Sequence, residues 1–284
     1  MNFSQNKVYL TVKDYSVSGE EFQLLMDEDL ELLKTHPHPS LENLGSYYES
    51  EDYISHTDGK RSLFEKLYHA VKQKALRDKI NIVNTNQTQK GKLLDIGAGT
   101  GDFLVTAKNS GWETLGIEPS EKAKKISLSK GISFKNDIKE IENASFDVVT
   151  MWHVLEHVPD IQQHISELKR ILKPNGLIII AVPNYKSYDA GYYGKFWAAY
   201  DAPRHLWHFS KKAIAHLFAK EDLEVKKILP MKFDSFYVSL LSEKYKTGKM
   251  NFVKGFFIGL RSNIKAARNF EYSSHIYVIR RAKN

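Results

Sequence analysis

The stretch LLDIGAGTGDF, residues 93–103, sets Asp95 ahead of three glycines at alternate positions, Gly97, Gly99 and Gly101. Glycine has no Cβ, so the backbone can turn tightly and a ligand can come close to it. The helix that follows such a turn offers free N–H groups to an anionic group. Dinucleotide sites use this device with the spacing Gly-x-Gly-x-x-Gly/Ala. Here the sixth position is Asp102, and an acid is badly placed beside a pyrophosphate. Two more acids, Glu118 and Asp137, fall at intervals downstream. Four histidines cluster in two segments: His153 and His157 in MWHVLEHVPD, and His205 and His208 in DAPRHLWHFS. Histidine can take up a proton near neutral pH. Arg204, beside His205, carries the fork that grips a carboxylate or phosphate through two bonds.

These residues need a frame. In SLFEKLYHAVKQKALRDKINIV, apolar residues recur close to every 3.6 positions, which predicts an amphipathic helix. From residue 91 the chain alternates strand and helix. KLLDIG is a strand, and GDFLVTAKNSG is a helix stopped by Gly111. WETLGIEP, ISFKNDI and FDVVTMWHV are further strands, and LIIIAVPN is apolar enough to be buried on both faces. This order predicts a doubly wound α/β domain with a mostly parallel sheet, whose ligands collect at the carboxyl ends of the strands. Asp95, Glu118, Asp137 and Trp152-His153 all fall at such ends. Ser210 reads as the N-cap of another helix, and SSHIYVIRRA as a final strand. Between them, residues 235–271 form an insertion of helical character.

The spacing Gly-x-Gly-x-Gly behind Asp95 resembles motif I of the class I methyltransferases, which bind S-adenosylmethionine. MWHVLEHVPD and LKPNGLIIIAVPN are similar to the fourth- and fifth-strand units of the family that includes the ubiquinone-biosynthesis O-methyltransferases. DAPRHLWHFS resembles a proline-arginine-histidine loop of one broad subset. The resemblance covers about residues 40–284 and implies a seven-stranded Rossmann-like sheet of order 3-2-1-4-5-7-6, the last strand antiparallel. It implies S-adenosylmethionine as methyl donor, S-adenosylhomocysteine as product, and no metal. Asp95, Gly97, Ala98, Gly99 and Gly101 would hold the methionine end. Glu118 and Pro119 would take the ribose, Asp137 and Ile138 the adenine, and Trp152 and His153 would stand near the methionine end. His205 is the expected general base, supported by His153 or His157. Arg204, His205, His208, Tyr48, Tyr53 and His56 are the expected acceptor contacts. The expected acceptor is a small or lipid-like molecule methylated at oxygen. Alternatives are an RNA base methyltransferase, a nicotinamide oxidoreductase and a non-catalytic binding protein.

One departure lies upstream. The leader SGEEFQLL…LLKTHPHPSLENLGSYY is similar to one that in many relatives carries a cysteine-bound zinc module. Alignment puts a cysteine pair near Asp27 and Leu30, and the chain has no cysteine at all. Residues 1–60 are therefore expected to form a metal-free cap on a methyltransferase domain of residues 61–284. Thiolate zinc sites, disulfides and cysteine nucleophiles are excluded. The N-terminus lacks the pattern of a signal peptide and no apolar run is long enough to span a bilayer, so a soluble cytoplasmic protein is expected. Charge is uneven, with 4 Lys/Arg against 12 Asp/Glu in residues 1–60 and 16 against 6 in residues 211–284. Projected on a helix, NFVKGFFIGLRSNIKAARN sets Phe252, Val253, Phe256, Phe257, Leu260, Ile264 and Ala267 on one side and Lys254, Arg261, Lys265 and Arg268 on the other. Ile258 breaks that pattern. Such a helix can pack in the domain, cover an apolar substrate, or touch a membrane surface through residues 250–269. No appended RNA-binding module is recognisable, so nucleic acid is not an expected partner. The sequence leaves the oligomeric state open.

Overall fold

The computed structural model describes residues 1, 7–40, 43, 45–48 and 63–282, with the side chains of all of these except residues 63–70. Helix α1 (Leu63–Asn86) leads into strand β4 (Lys92–Ile96). After it come α2 (Asp102–Asn109), β5 (Glu113–Ile117), α3 (Glu121–Ser129), β6 (Ser133–Lys135), β7 (Phe146–Trp152), α4 (Ile161–Ile171) and β8 (Leu172–Pro183). The chain closes with α5 (Tyr188–Tyr193), β9 (Trp207–His208), α6 (Lys211–Ala219), β10 (Leu223–Pro230), α7 (Asp234–Thr247), α8 (Phe252–Asn269) and β11 (Ser274–Arg281). The large sheet has the order β10-β11-β8-β7-β4-β5-β6. β11 runs antiparallel to both neighbours, and the other pairs are parallel. In strand order along the sheet this is 3-2-1-4-5-7-6, as the resemblance implied.

The run LIIIAV in β8 shows why the sheet is covered on both sides. Ile178, Ile180 and Val182 enter one core, together with Ile165 and Leu168 of α4 and Ile214 and Phe218 of α6. Leu177, Ile179 and Ala181 enter the other, with Ile80 and Val83 of α1 and Phe103, Leu104 and Ala107 of α2. A period of two along a strand sends alternate side chains to opposite faces, so a strand buried on both must be apolar throughout.

The first three strands, β1 (Lys7–Lys13), β2 (Glu21–Asp27) and β3 (Leu32–His36), make an antiparallel sheet that β9 completes. Leu33 pairs with His208 and Lys34 with Trp207. The cap thus borrows a strand from the far side of the sequence. A third core joins Phe22, Leu24 and Leu33 to Tyr193 and Trp197 and to Val238 and Ile258 of the insertion. Packing therefore does not divide at residue 60. Where the resemblance would place a cysteine pair, Leu30 N donates to Asp27 Oδ1 at 3.0 Å, and Leu30 is buried. A side-chain-to-backbone bond closes the turn there.

The insertion is helical, as expected, but α8 faces the other way from its amphipathic projection. Its buried face is Gly255, Ile258, Gly259, Ser262 and Ala266. A Cβ on Gly255 would sit 2.9 Å from Leu240 Cα, and one on Gly259 2.9 Å from Phe236 Cα. These glycines let α8 lie directly against α7, and Ile258 is the residue that points inward. Phe252, Val253, Phe256, Phe257 and Ile264 are exposed.

Candidate active site

The loop between β4 and α2 is held by its own backbone. Gly97 N and Ala98 N both donate to Ile117 O, at 2.8 and 3.1 Å. Gly97, Gly99 and Gly101 have φ of 72°, 54° and 77°, the left-handed region that costs other residues strain. The three differ in what surrounds them. A Cβ on Gly97 would collide with Val154, and one on Gly101 with Ser127, whereas one on Gly99 meets nothing within 4 Å. The open space lies at the middle of the cradle, where a ligand can approach bare backbone.

Three acids lie at or just past the ends of the neighbouring strands β4, β5 and β6. Glu118, at the end of β5, accepts from Gly99 N at 2.7 Å and from Ser120 N at 2.8 Å. Asp137 is exposed after β6 and accepts from Lys139 N, next to buried Ile138. Pro119 is exposed and Ala98 is buried in the loop. Asp95 is buried and accepts from Thr150 Oγ1 at 2.5 Å. Burial pushes its carboxyl up to about 7, against the Thr150 bond and the charge of Lys79. Lys79 of α1 lies with Nζ 4.6 Å from the centre of the Trp152 ring, which in turn meets Phe103 at 5.4 Å. Burial lowers the Lys79 pKa, opposed by Asp95 and Asp234. Asp102 is ion-paired to both Lys72 and Lys130, each at 2.6 Å.

The histidines meet at the next strand end. The 3-10 turn Leu155–His157 follows β7, and the loop 201–206 rests on it, with Leu206 N donating to Glu156 O at 2.8 Å. His157 and His205 face each other edge to face, with ring centroids 4.6 Å apart. Glu156, His157 and His205 each offer one ligand atom, and these atoms all lie within 4.8 Å of one another. That spacing could hold a divalent cation as well as exchange a proton. Glu156 is 0% exposed. Among the described residues neither of its oxygens has a hydrogen-bond partner, and His153 Nδ1 stands 3.4 Å from Oε1.

Each histidine has a different state. His205 Nδ1 donates to the Ala199 carbonyl at 2.9 Å, so the lone pair of the neutral ring is on Nε2. His157 Nδ1 lies 3.0 Å from the Arg204 carbonyl and 3.0 Å from the Tyr48 hydroxyl. Burial, aided by His205, pushes its pKa down to about 4. His153 has φ of 59° and stands between Asp234, at 3.0 Å from Nε2, and Glu156. Burial alone would lower its pKa, but the two carboxylates carry it up to about 10. A clamped imidazolium has no lone pair to give, so His153 is not arranged to share the work of a base. His208 is buried in β9, its Nε2 3.1 Å from Thr35 Oγ1, and secures the cap.

Arg204 also differs from its expected role. It is 4% exposed. Its Nε and one terminal nitrogen donate to the two oxygens of Asp201, at 3.0 and 2.6 Å. The same guanidinium donates to Asp14 Oδ1 at 3.1 Å and to the Tyr47 carbonyl at 2.9 Å. It is a strut between cap and loop, with its fork already filled. Tyr53 and His56 lie outside the described residues. Lys79, Thr150, Asp201 and Asp234, to which no local sequence pattern points, contact the candidate residues Trp152, Asp95, Arg204 and His153 respectively.

The methyltransferase domain family matches residues 68–228, more than half of the chain. The chain belongs to that family. It is an S-adenosylmethionine-dependent methyltransferase. Among curated relatives, a ubiquinone biosynthesis O-methyltransferase of Rickettsia typhi is 27% identical over 202 residues, which is 64% of this chain and 80% of that one. Its namesake in Rhodopseudomonas palustris is 30% identical over 128 residues, 41% of this methyltransferase and about half, 51%, of the relative. Among solved structures, magnesium protoporphyrin IX methyltransferase of Synechocystis PCC 6803 superposes with a TM-score of 0.55 at 15% identity, covering 83% of this chain and 97% of that one. Geranyl diphosphate C-methyltransferase of Streptomyces coelicolor gives 0.55 at 16% identity, covering 79% and 88%. At such identity the likeness is one of fold.

Proposed function

We propose that this methyltransferase moves the methyl group of S-adenosylmethionine to an oxygen of a small or lipid-like acceptor, with His205 Nε2 taking the acceptor's proton. The observation that carries this reading is the Ala199 carbonyl on His205 Nδ1, which leaves the lone pair on the other nitrogen. Asp201 Oδ2, 3.9 Å from Nε2, stabilises the imidazolium as it forms. Glu156 adds a second negative charge nearby. The acceptor class is supported by the curated relatives, which act in ubiquinone biosynthesis by name.

On this reading the open space at Gly99 receives the donor, and Glu118 exchanges its loop bonds for the ribose hydroxyls. Asp95 meets the donor's ammonium and Lys79 its carboxylate. The donor is already activated, so alignment of the two reactants supplies much of the rate. The base adds the removal of one proton.

The test is His205→Ala, assayed for methyl incorporation with a panel of hydroxylated aromatics bearing or lacking an apolar tail. Turnover should fall about 10²- to 10⁴-fold, while calorimetry finds donor affinity nearly unchanged. Unchanged turnover rejects the assignment. A second arm treats the wild type with EDTA. Turnover should persist; loss that is restored by a divalent cation would instead make Glu156, His157 and His205 a metal centre.

A further inference from the structure

The outer face of α8 has no counterpart inside the fold. The helix spends its small residues on α7 and turns Val253, Phe256, Phe257 and Ile264 outward, at 68, 53, 61 and 56% exposure. Phe256 and Phe257 lie against each other, with centroids 5.8 Å apart. Soluble surfaces seldom gather so much apolar area in one strip. Met250, just ahead of the helix, extends it.

The charges beside this strip are of one sign. Residues 234–269 contain Lys244, Lys246, Lys249, Lys254, Arg261, Lys265 and Arg268 against two acids, Asp234 and Glu243. Both acids turn inward. Asp234 grips His153, and Glu243, itself fully buried, pairs with Lys254 at 3.2 Å. Arg261 and Lys265 flank the strip and lie over the Tyr188 ring. The hairpin therefore shows its surroundings an apolar ridge bordered by exposed cations, Lys249, Arg261, Lys265 and Arg268.

We propose that the α7–α8 hairpin docks on the surface of a bilayer containing anionic lipids. The cations would meet headgroup phosphates while Val253, Phe256, Phe257 and Ile264 enter the acyl boundary. Charge complementarity selects this occupant. A second copy would set one cationic border against another. A nucleic acid would meet the cations but offers no hydrocarbon in which to bury Val253 and Ile264. No helix among the described residues is long and apolar enough to cross a membrane. The hairpin is also rooted in the active site, because α7 begins at the Asp234 that holds His153.

The experiment is co-sedimentation of the full chain with vesicles of phosphatidylcholine alone and of phosphatidylcholine with phosphatidylglycerol. Wild type should pellet with the second and stay in solution with the first. The double variant Val253→Ser/Phe257→Ser should bind at least about tenfold more weakly. Lys249→Glu/Arg268→Glu should lose the dependence on anionic lipid. All four positions are exposed, so the variants should melt like wild type, and their thermal curves check this. Failure of wild type to pellet with anionic vesicles at low salt overturns the proposal. So does unchanged binding by the serine variant, displacement of protein from the vesicles by single-stranded RNA, or a dimer in sedimentation that the serine variant dissolves. The readout is lipid binding rather than methyl transfer, so it stands apart from the fate of the proposed chemistry.

Discussion

Replacement of Arg204 by Met separates two roles that the residue type alone cannot tell apart. If the guanidinium held an acceptor's carboxylate or phosphate, its loss would raise KM and leave the fold intact. Four hydrogen bonds to Asp201, Asp14 and Tyr47 lead to a different outcome. Removing one partner of a buried ion pair costs about 3–5 kcal/mol, because the remaining charge is stranded. The two carboxylates here are not equally exposed to that cost. Asp14 keeps bonds from Ser16 N, Val17 N, Ser18 N and Ser18 Oγ, at 2.9, 3.2, 2.9 and 3.0 Å. The Asp201 side chain is 24% exposed and can recruit water. Both facts place the loss at the low end, about 3 kcal/mol. For a chain of this size that lowers the melting temperature by roughly 5 °C. Thermal and urea unfolding of Arg204→Met measure it directly. Asp14→Asn should cost less on its own, and the double variant less than the sum, since both changes act on one contact. Donor affinity should be nearly unchanged, because the glycine loop is held by separate bonds. A variant with wild-type stability and a raised KM would refute the strut and restore the substrate clamp.

Gly99→Ala should reduce donor affinity at least about tenfold while costing roughly 1 kcal/mol of stability for its left-handed backbone, measured by calorimetry and melting. Gly97→Ala and Gly101→Ala should destabilise the fold more than this, since their Cβ atoms meet Val154 and Ser127. Asp95 has a folded pKa raised to about 7, so its contribution to the ligand-free fold is complete below its ordinary value and is lost as pH rises through about 7. Thr150, Lys79 and Glu118 are the groups that act on it. Asp95→Asn should remove that part of the slope in melting temperature between about pH 5 and 7, and a parallel slope in both proteins would contradict the assignment.

Much of the frame was legible because it depends on local pattern. The apolar run at 177–182, the alternating strand–helix rhythm and the N-cap at Ser210 each need only near neighbours, and each appears in the structure. The cradle was legible for the same reason, since three glycines and an acid lie within seven residues. What escaped depends on partners distant in the chain. Arg204 resembles an anion clamp until Asp14, 190 positions away, is found in its fork. His153 resembles a base until Asp234, at the head of α7, is found 3.0 Å from its Nε2, where it raises the pKa. Lys79 lies on a helix whose apolar residues announced it, and nothing local says that this one lysine turns toward Trp152 and Asp95. In α8 the projection gave an axis of amphipathicity without its sense. The two glycines, which lower helix propensity, are the signal that the small face is the packed one, because close approach to α7 requires them.

The choice between a methyl donor and a dinucleotide rests on different physics from that suggested by the sequence. Asp102 was the residue set against a pyrophosphate. In the fold two lysines neutralise it at 2.6 Å each, so little bare negative charge remains there to repel a phosphate. The discrimination passes to the pair at the other side of the cradle. Asp95 and Lys79 are both buried enough to have their charged forms disfavoured, and each supports the other's charge. An amino-acid end with adjacent ammonium and carboxylate groups would answer both charges at once and draw Asp95 fully into its ionised form. A pyrophosphate would answer Lys79 and oppose Asp95, leaving a buried acid either protonated or unpaired. The carboxylate–ammonium pair therefore favours a zwitterion over a polyanion, and it does so whatever the charge on Asp102.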